Sequence, residues 1–319
     1  MKREFEEILY CFCLASVLLG MLSLGCSQQV PSTVTKLPAK APGQYNEQIV
    51  IGGHTRTYIL RVPHPYDALK PLPLVVGLHG LSGTAANFES SSGLASLSES
   101  KGFILVSPDG LGSDGFHGWN AGFFNLTGTD VDDVAFVDRL IEKIKTEVGV
   151  DSNRIYVAGH SNGAFMAHLL AAKMPTKFAA VACVAGTIGI PDGDGAVKEI
   201  PAPAAPISVL LIHGVMDSMV QFDSHSQALL HGVGAMDSAK FWAKCDACLP
   251  QPTEIRSVNG NVITHHFAGG KNGTEVELVE ILNGGHDWPG GLTRFGIENK
   301  TGVRAAELAW NFFESHPKK

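Results

Sequence analysis

The sequence offers no basic surface to a polyanion: acidic residues outnumber basic ones, 31 to 24, for a formal net charge of -7. Lys and Arg nowhere form a cluster, and neutralising phosphates needs a basic face, so nucleic-acid binding is excluded. Charge of either sign is sparse, 17% against 45% hydrophobic residues, a balance that excludes a disordered chain. There is no internal repeat, no long structureless middle and no sign of a second domain, so 319 residues are expected to build one large core. Cysteine is scarce as well. Of six, Cys11 and Cys13 fall in an N-terminal apolar run, Cys26 ends it, and Cys183 sits in an apolar segment with the look of a buried strand. That leaves Cys245 and Cys248, a C-x-x-C pair without the second pair a zinc site needs or the context of a redox motif. A local disulfide or two idle thiols is the expectation.

The apolar run is the first thing present. Lys2 and Arg3 precede Ile8 to Leu24, which closes on Gly25-Cys26 and the polar Ser27-Gln28-Gln29, the layout of an export signal. Leu22-Ser23-Leu24-Gly25-Cys26 is lipobox-like, with its leucine displaced by one position and with Glu4, Glu6 and Glu7 in an unusually acidic leader. Cleavage before Cys26 would leave that cysteine to carry lipid. An ordinary cleaved signal or a short uncleaved anchor are the other readings, since the run approaches the ~20 apolar residues of a spanning helix. All of them put the domain outside the cytoplasm. Residues 27–43 are rich in Pro, Ser, Thr and Ala and read as a flexible tether, leaving 44–319 as the globular domain.

Within that domain, Glu47 to Ile51 and Arg56 to Val62 flank Gly52-Gly53-His54 as an opening hairpin. Short, almost wholly apolar runs follow at Leu72 to Leu78, Phe103 to Ser107, Arg154 to Ala158, Ala179 to Ala185 and Ile207 to Ile212, the form of strands buried on both faces. Helical patterns at Asn87 to Lys101, Val131 to Val148, Ala164 to Lys173 and Ala235 to Lys244 alternate with them, and a strand at Val276 to Ile281 and a helix at Val303 to Ser315 close the chain. A two-strand insertion is expected around Glu254 to Phe267. The alternation predicts an α/β class with a mostly parallel sheet and helices on both faces.

Chemistry concentrates at strand ends. The strand at Arg154 runs into Gly159-His160-Ser161-Asn162-Gly163 and then into a helix, which is a nucleophile elbow: the turn is too sharp for side chains two residues either side of the serine. Ser161 then needs a base held by a carboxylate. His286, in the loop after the last strand, is the base of choice, and Asp217, just beyond the strand ending at Ile212, is the acid, with Asp223 as its rival. The order Ser, Asp, His is that of the α/β-hydrolase fold. A tetrahedral oxyanion also needs two N–H donors. Asn162, following the nucleophile, supplies one; the loop His79-Gly80-Leu81 supplies the other, with Leu81 the choice and Gly80 or Ser82 one register off.

Taken together, Leu78-His79-Gly80, Ser107-Pro108-Asp109-Gly110, Gly118-Trp119-Asn120-Ala121-Gly122, Asp132-Asp133-Val134, Gly159 to Gly163 and Gly285-His286-Asp287-Trp288-Pro289-Gly290 resemble the polyhydroxybutyrate depolymerase and feruloyl esterase family of secreted α/β-hydrolases over roughly Gln48 to His316. The resemblance implies ester hydrolysis through an acyl-enzyme, without metal or organic cofactor, with Ser161, Asp217 and His286 at the triad positions. Trp119, Trp288 and His160 are then candidates to line the acyl site, core packing being the other reading of the two tryptophans. Departures are that Phe123 and Phe124 stand where relatives often have cysteines, and that no polymer-gripping domain is evident. Soluble feruloyl or acetyl sugar esters, or short hydroxyalkanoate oligomers, are the expected substrates, with a membrane engaged only through lipid on Cys26. An acyltransferase with the same triad, or a non-catalytic binding lipoprotein, remain the rival classes.

Overall fold

The computed structural model describes residues 40–113, 116–123, 131–191, 195–292, 299 and 301–319. The leader, Cys11, Cys13, Cys26, most of the tether and Phe124 lie outside the described residues.

The chain opens with β1 (Gly43–Ile51) and β2 (His54–Val62), joined through Gly52 and Gly53 in a two-residue turn with both φ angles positive, a conformation only glycine adopts freely. The strand begins four residues before Glu47, so the N-terminal boundary of the domain takes in what read as the end of the tether. There follow β3 (Leu72–Leu78), α1 (Ala85–Ser92), α2 (Leu94–Lys101), β4 (Ile104–Pro108), the small hairpin β5 (Leu111–Ser113) and β6 (Phe116–Gly118), and α3 (Asp133–Glu147). Then come β7 (Val150–His160), α4 (Asn162–Lys173), β8 (Ala180–Val184), a second small hairpin β9 (Gly189–Pro191) and β10 (Val197–Glu199), β11 (Ser208–Gly214) and α5 (Ala235–Asp246). The chain closes with β12 (Thr253–Arg256), β13 (Val262–Phe267), β14 (Val276–Ile281) and α6 (Ala305–Ser315).

Ten strands form one sheet in the order β1-β2-β4-β3-β7-β8-β11-β14-β13-β12. The six central strands are parallel, and an antiparallel pair flanks each side. Because side chains alternate across a strand, Leu74, Val76 and Leu78 of β3 face one layer and Val75 the other. The first layer is packed by α3, α4 and α5 and holds Phe136, Phe165 and Trp242; the second is packed by α1, α2 and α6 and holds Phe88, Leu94 and Phe313. This is the α/β-hydrolase architecture the alternation of strands and helices predicts.

Three local expectations change. The single helix over Asn87 to Lys101 is two, because Gly93 takes a left-handed φ of 81° and serves as end cap of α1 and start of α2. The strands around Glu254 to Phe267 are not an appendage: β13 pairs with β14 and carries the main sheet outward to β12. The hairpins β5–β6 and β9–β10 are too short to leave a periodic signal. Cys245 and Cys248 stand as free thiols in this structure.

Candidate active site

Ser161 sits at φ 53° and ψ -119°, a strained conformation for a residue with a side chain. The turn that imposes it closes around two glycines. A Cβ on Gly159 would lie 2.0 Å from the Gly163 carbonyl oxygen, and one on Gly163 would lie 2.3 Å from the oxygen of Leu78; neither contact is tolerable. The turn is further held by Ser161 N–H donating to Val184 O at 2.9 Å, and by Ala164 and Phe165 N–H donating to Ser161 O.

The hydroxyl so presented is 2.8 Å from Nε2 of His286, and Nδ1 of the same ring is 2.8 Å from Oδ2 of Asp217. Asp217 is fully buried apart from 2% of its surface, and its other oxygen, Oδ1, accepts N–H bonds from Met219 at 2.8 Å and Val220 at 2.9 Å. Burial pushes this carboxyl up, but hydrogen bonds from His213 and His286 outweigh it and hold Asp217 well below the usual carboxylate range. An ionised Asp217 keeps the proton on Nδ1 of His286, which leaves Nε2 free to accept from Ser161. The loops carrying acid and base are bound to each other: Val215 N–H donates to Ile281 O and Met216 N–H to Gly284 O, each at 2.9 Å. Asp223, the rival acid, instead organises its own loop, accepting from His225 N–H and Ser226 Oγ. His213 is a partner that sequence reasoning missed, 3.4 Å from Asp217 Oδ2 and 3.0 Å from Val220 O.

Opposite His286 lies the loop after β3. A Cβ on Gly80 would come within 3.3 Å of Ser161 Cβ, so this backbone runs directly against Ser161. The Ser82 N–H donates to His117 O at 2.6 Å and is spent, whereas the N–H groups of Leu81 and Asn162 have no acceptor among the described residues.

A closed network of buried groups positions that loop. His79 Nε2 accepts from Gly110 N–H at 2.8 Å and its Nδ1–H reaches Gly80 O at 2.7 Å; burial lowers its pKa, so the ring is a neutral strut. Trp119 Nε1–H donates to His79 O at 2.8 Å. The Asn162 side chain grips the Trp119 backbone twice, Oδ1 accepting from its N–H at 2.6 Å and Nδ2 donating to its O at 3.1 Å. Asn120 N–H donates to Asp133, Asp133 pairs with Arg56 at 2.7 Å, and Arg56 donates on to Asp109 O. Burial pushes the Asp133 carboxyl up and the Arg56 guanidinium down, so the pairing keeps both charged. Asp109 closes the ring by accepting from Thr57 Oγ1 and Ala85 N–H, each at 2.7 Å.

This corrects the reading of Trp119 as a wall of the acyl site. At 1% exposure, with its indole N–H bound to His79 O and its ring stacked near Phe136, it is a core brace. Trp288 and His160 do stand beside the site. The His160 ring lies 5.4 Å from that of His286 and 6.4 Å from that of Trp288, which in turn meets Phe88 edge-on. Burial drives His160 down to about 3, so it is neutral, and His160 Nε2 and Trp288 Nε1 are buried with no hydrogen-bond partner.

A ten-stranded sheet with serine, histidine and carboxylate in hydrogen-bond sequence at the strand ends defines an α/β-hydrolase of the serine type. The family model described as "Esterase PHB depolymerase" matches residues 56–200. A protein of Aspergillus terreus named "Probable feruloyl esterase C" is 32% identical over 94% of this chain and 96% of its own length. Feruloyl esterase C of Emericella nidulans is 27% identical over 86% of this chain and 91% of its own. Feruloyl esterase B of Piromyces equi is 29% identical over 72% of this chain, a match that spans only 42% of that longer protein. Among solved structures, acetyl xylan esterase from Aspergillus awamori superposes with a TM-score of 0.55 at 16% identity, covering 83% of this chain and all of that one, which speaks to the fold. The chain belongs to the polyhydroxybutyrate depolymerase and feruloyl esterase family, and it is a carboxylic ester hydrolase.

Proposed function

We propose that the protein hydrolyses hydroxycinnamoyl esters of plant-wall sugars by a Ser161 acyl-enzyme mechanism, working outside the cytoplasm. The observation that carries the reading is the continuous hydrogen-bonded line Ser161–His286–Asp217 beside two unengaged N–H groups. His286 takes the Ser161 proton as the hydroxyl attacks the ester carbonyl, and the ionised Asp217 stabilises the imidazolium that forms. Leu81 and Asn162 N–H receive the oxyanion. His286 then protonates the leaving sugar alcohol, and water, deprotonated by the same ring, releases the acid. Trp288 and His160 back the acyl group, whose aromatic ring suits an indole and a neutral imidazole. The names of the aligned relatives favour feruloyl over other acyl groups; the family model favours short hydroxyalkanoate oligomers as a second substrate.

The test is a panel of methyl ferulate, acetylated xylan and hydroxybutyrate oligomers, assayed with the wild type and with Ser161→Ala. Methyl ferulate is expected to give the highest kcat/KM, and Ser161→Ala to lower kcat roughly 10⁴-fold or more with the fold intact. Preference for another ester overturns the substrate; residual turnover within tenfold of wild type overturns the nucleophile. For location, the reading is a chain cleaved before Cys26 and held at a membrane by lipid on it. Intact-mass analysis decides: a mature chain without acyl mass, or beginning elsewhere, removes the anchor.

A further inference from the structure

At the far end of β14 from His286, side chains from three elements converge with no role in the ester chemistry. His266 of β13 is the direct cross-strand partner of Glu277 in β14, so the two share a face of the sheet. Glu275, two residues before Glu277, lies on that face as well. It is the face of the sheet on which α6 packs, Phe312 and Phe313 sharing one buried cluster with Val279 and Ile281, and the residue capping the end of α6, His316, reaches Glu275. Ligand atoms of His266, Glu275 and Glu277 all lie within 4.8 Å of one another.

The geometry points to a structural zinc site in which His266, Glu275 and Glu277 are the core ligands, with His316, beside Glu275 but outside that triad, drawn in as the fourth on binding to clamp the C-terminal helix to the sheet. Three features argue for a cation over a set of plain ion pairs. His266 Nε2 is buried and 3.1 Å from Glu275 Oε2, yet without hydrogen-bond geometry toward it or any other acceptor. Such an arrangement suits two atoms that both face a third. His316 Nδ1 lies 2.7 Å from Phe312 O, an acceptor only, so that nitrogen carries the proton and Nε2 is left aimed at the Glu275 carboxylate 3.3 Å away. An imidazole whose outer N–H is bound to a backbone carbonyl and whose other nitrogen looks inward is the usual setting of a metal-ligating histidine. Finally, the separations of 3.1 and 3.3 Å approach the edge of a tetrahedron with arms of about 2.1 Å, which is about 3.4 Å, and imidazole nitrogens with carboxylate oxygens are ligands zinc accepts. From Glu275 to the end of β14 at Ile281 the strand spans about 20 Å, so the metal would act on stability and leave turnover alone.

The experiment is calorimetric titration of the full chain, stripped of metal by a chelator, with zinc chloride, alongside thermal melts and a nitrophenyl ester assay. The expected result is one zinc per chain with sub-micromolar affinity, a Tm rise of about 5 °C at saturating zinc, and unchanged kcat. His266→Gln should weaken zinc at least 100-fold and His316→Gln at least 10-fold, each keeping wild-type kcat. Should His266→Gln itself lower the metal-free Tm, the zinc-dependent increment is the quantity read, and the near-isosteric Glu277→Gln must lose it too. Affinity weaker than about 100 µM, affinity unchanged in His266→Gln and Glu277→Gln, or zinc that inhibits the esterase in proportion to binding, overturns the site.

Discussion

The two halves of the active site are held in place by different physics. On the nucleophile side the backbone does the work: Gly159 and Gly163 admit a turn that any Cβ would block, and a ring of uncharged and paired buried groups from His79 to Asp109 fixes the oxyanion loop. On the acid–base side the backbone is tight as well, a Cβ on Gly214 falling 2.2 Å from Gly284 O, but position depends on protonation too: Asp217 must be ionised for His286 to present Nε2 to the serine. The first half is vulnerable to changes of shape, the second to changes of charge as well. Substitutions that separate shape from charge therefore test the contrast directly.

The largest effect is expected from Asp217→Asn. Its side-chain oxygen can still accept from Met219 and Val220, so the loop survives, but the amide would reverse the tautomer of His286 and cost about 10³–10⁴ in kcat. Tm at neutral pH should fall only by what the ionised carboxylate itself contributes, and Asp223→Asn should leave kcat within about twofold. A crippled Asp223→Asn with a mild Asp217→Asn would reverse the assignment. Next comes the nucleophile side, where Asp133→Ala leaves the Arg56 guanidinium buried without its partner; a destabilisation of about 3–5 kcal/mol by urea unfolding is expected. The double variant Arg56→Met, Asp133→Leu should recover part of that loss. Should Asp133→Ala unfold no more readily than wild type, the network does not carry the load given to it. The smallest effect concerns acid. The folded pKa of Asp217 is depressed, so its contribution to stability is present above the unfolded value of about 4 and is lost as pH falls toward the folded value. Wild type should therefore lose more stability than Asp217→Asn between pH 5 and pH 2, measured by thermal melts; parallel curves would mean the carboxylate is not held as the geometry implies.

The same contrast explains what the sequence made legible. That Ser161, Asp217 and His286 would meet was readable because each follows a strand whose apolar run announces it, and because steric rules leave a local signature in the glycines around Ser161. The nucleophile-side network left none. Arg56 and Asp133 come from a hairpin and a helix far apart in the chain, and only folding reveals that the Asp132-Asp133 motif buries one carboxylate and uses the other to cap α3. At Trp119 two readings, substrate wall and core packing, stood open. An aromatic in a loop near the nucleophile suggests a substrate wall, but its N–H is engaged by His79 O and its backbone by Asn162, so it faces inward. The His266–Glu275–Glu277 group was likewise invisible, since cross-strand neighbours have no fixed spacing in the sequence, and His213 meets Asp217 four residues on only because the loop after β11 folds back.

The sheet described above ends in two unlike margins, and they differ in how readily another chain could be stitched on. At one margin β12 is four residues long, exposed throughout, and carries Glu254 and Arg256; a short, charged border of this kind resists extension. At the other, β1 runs nine residues with alternating burial, and its outward positions include Gln44, Asn46 and Gln48, polar yet uncharged. Crowded copies that recruited one another strand by strand would thus do so along β1, and a lysine introduced at Asn46 is where solubility would be improved first.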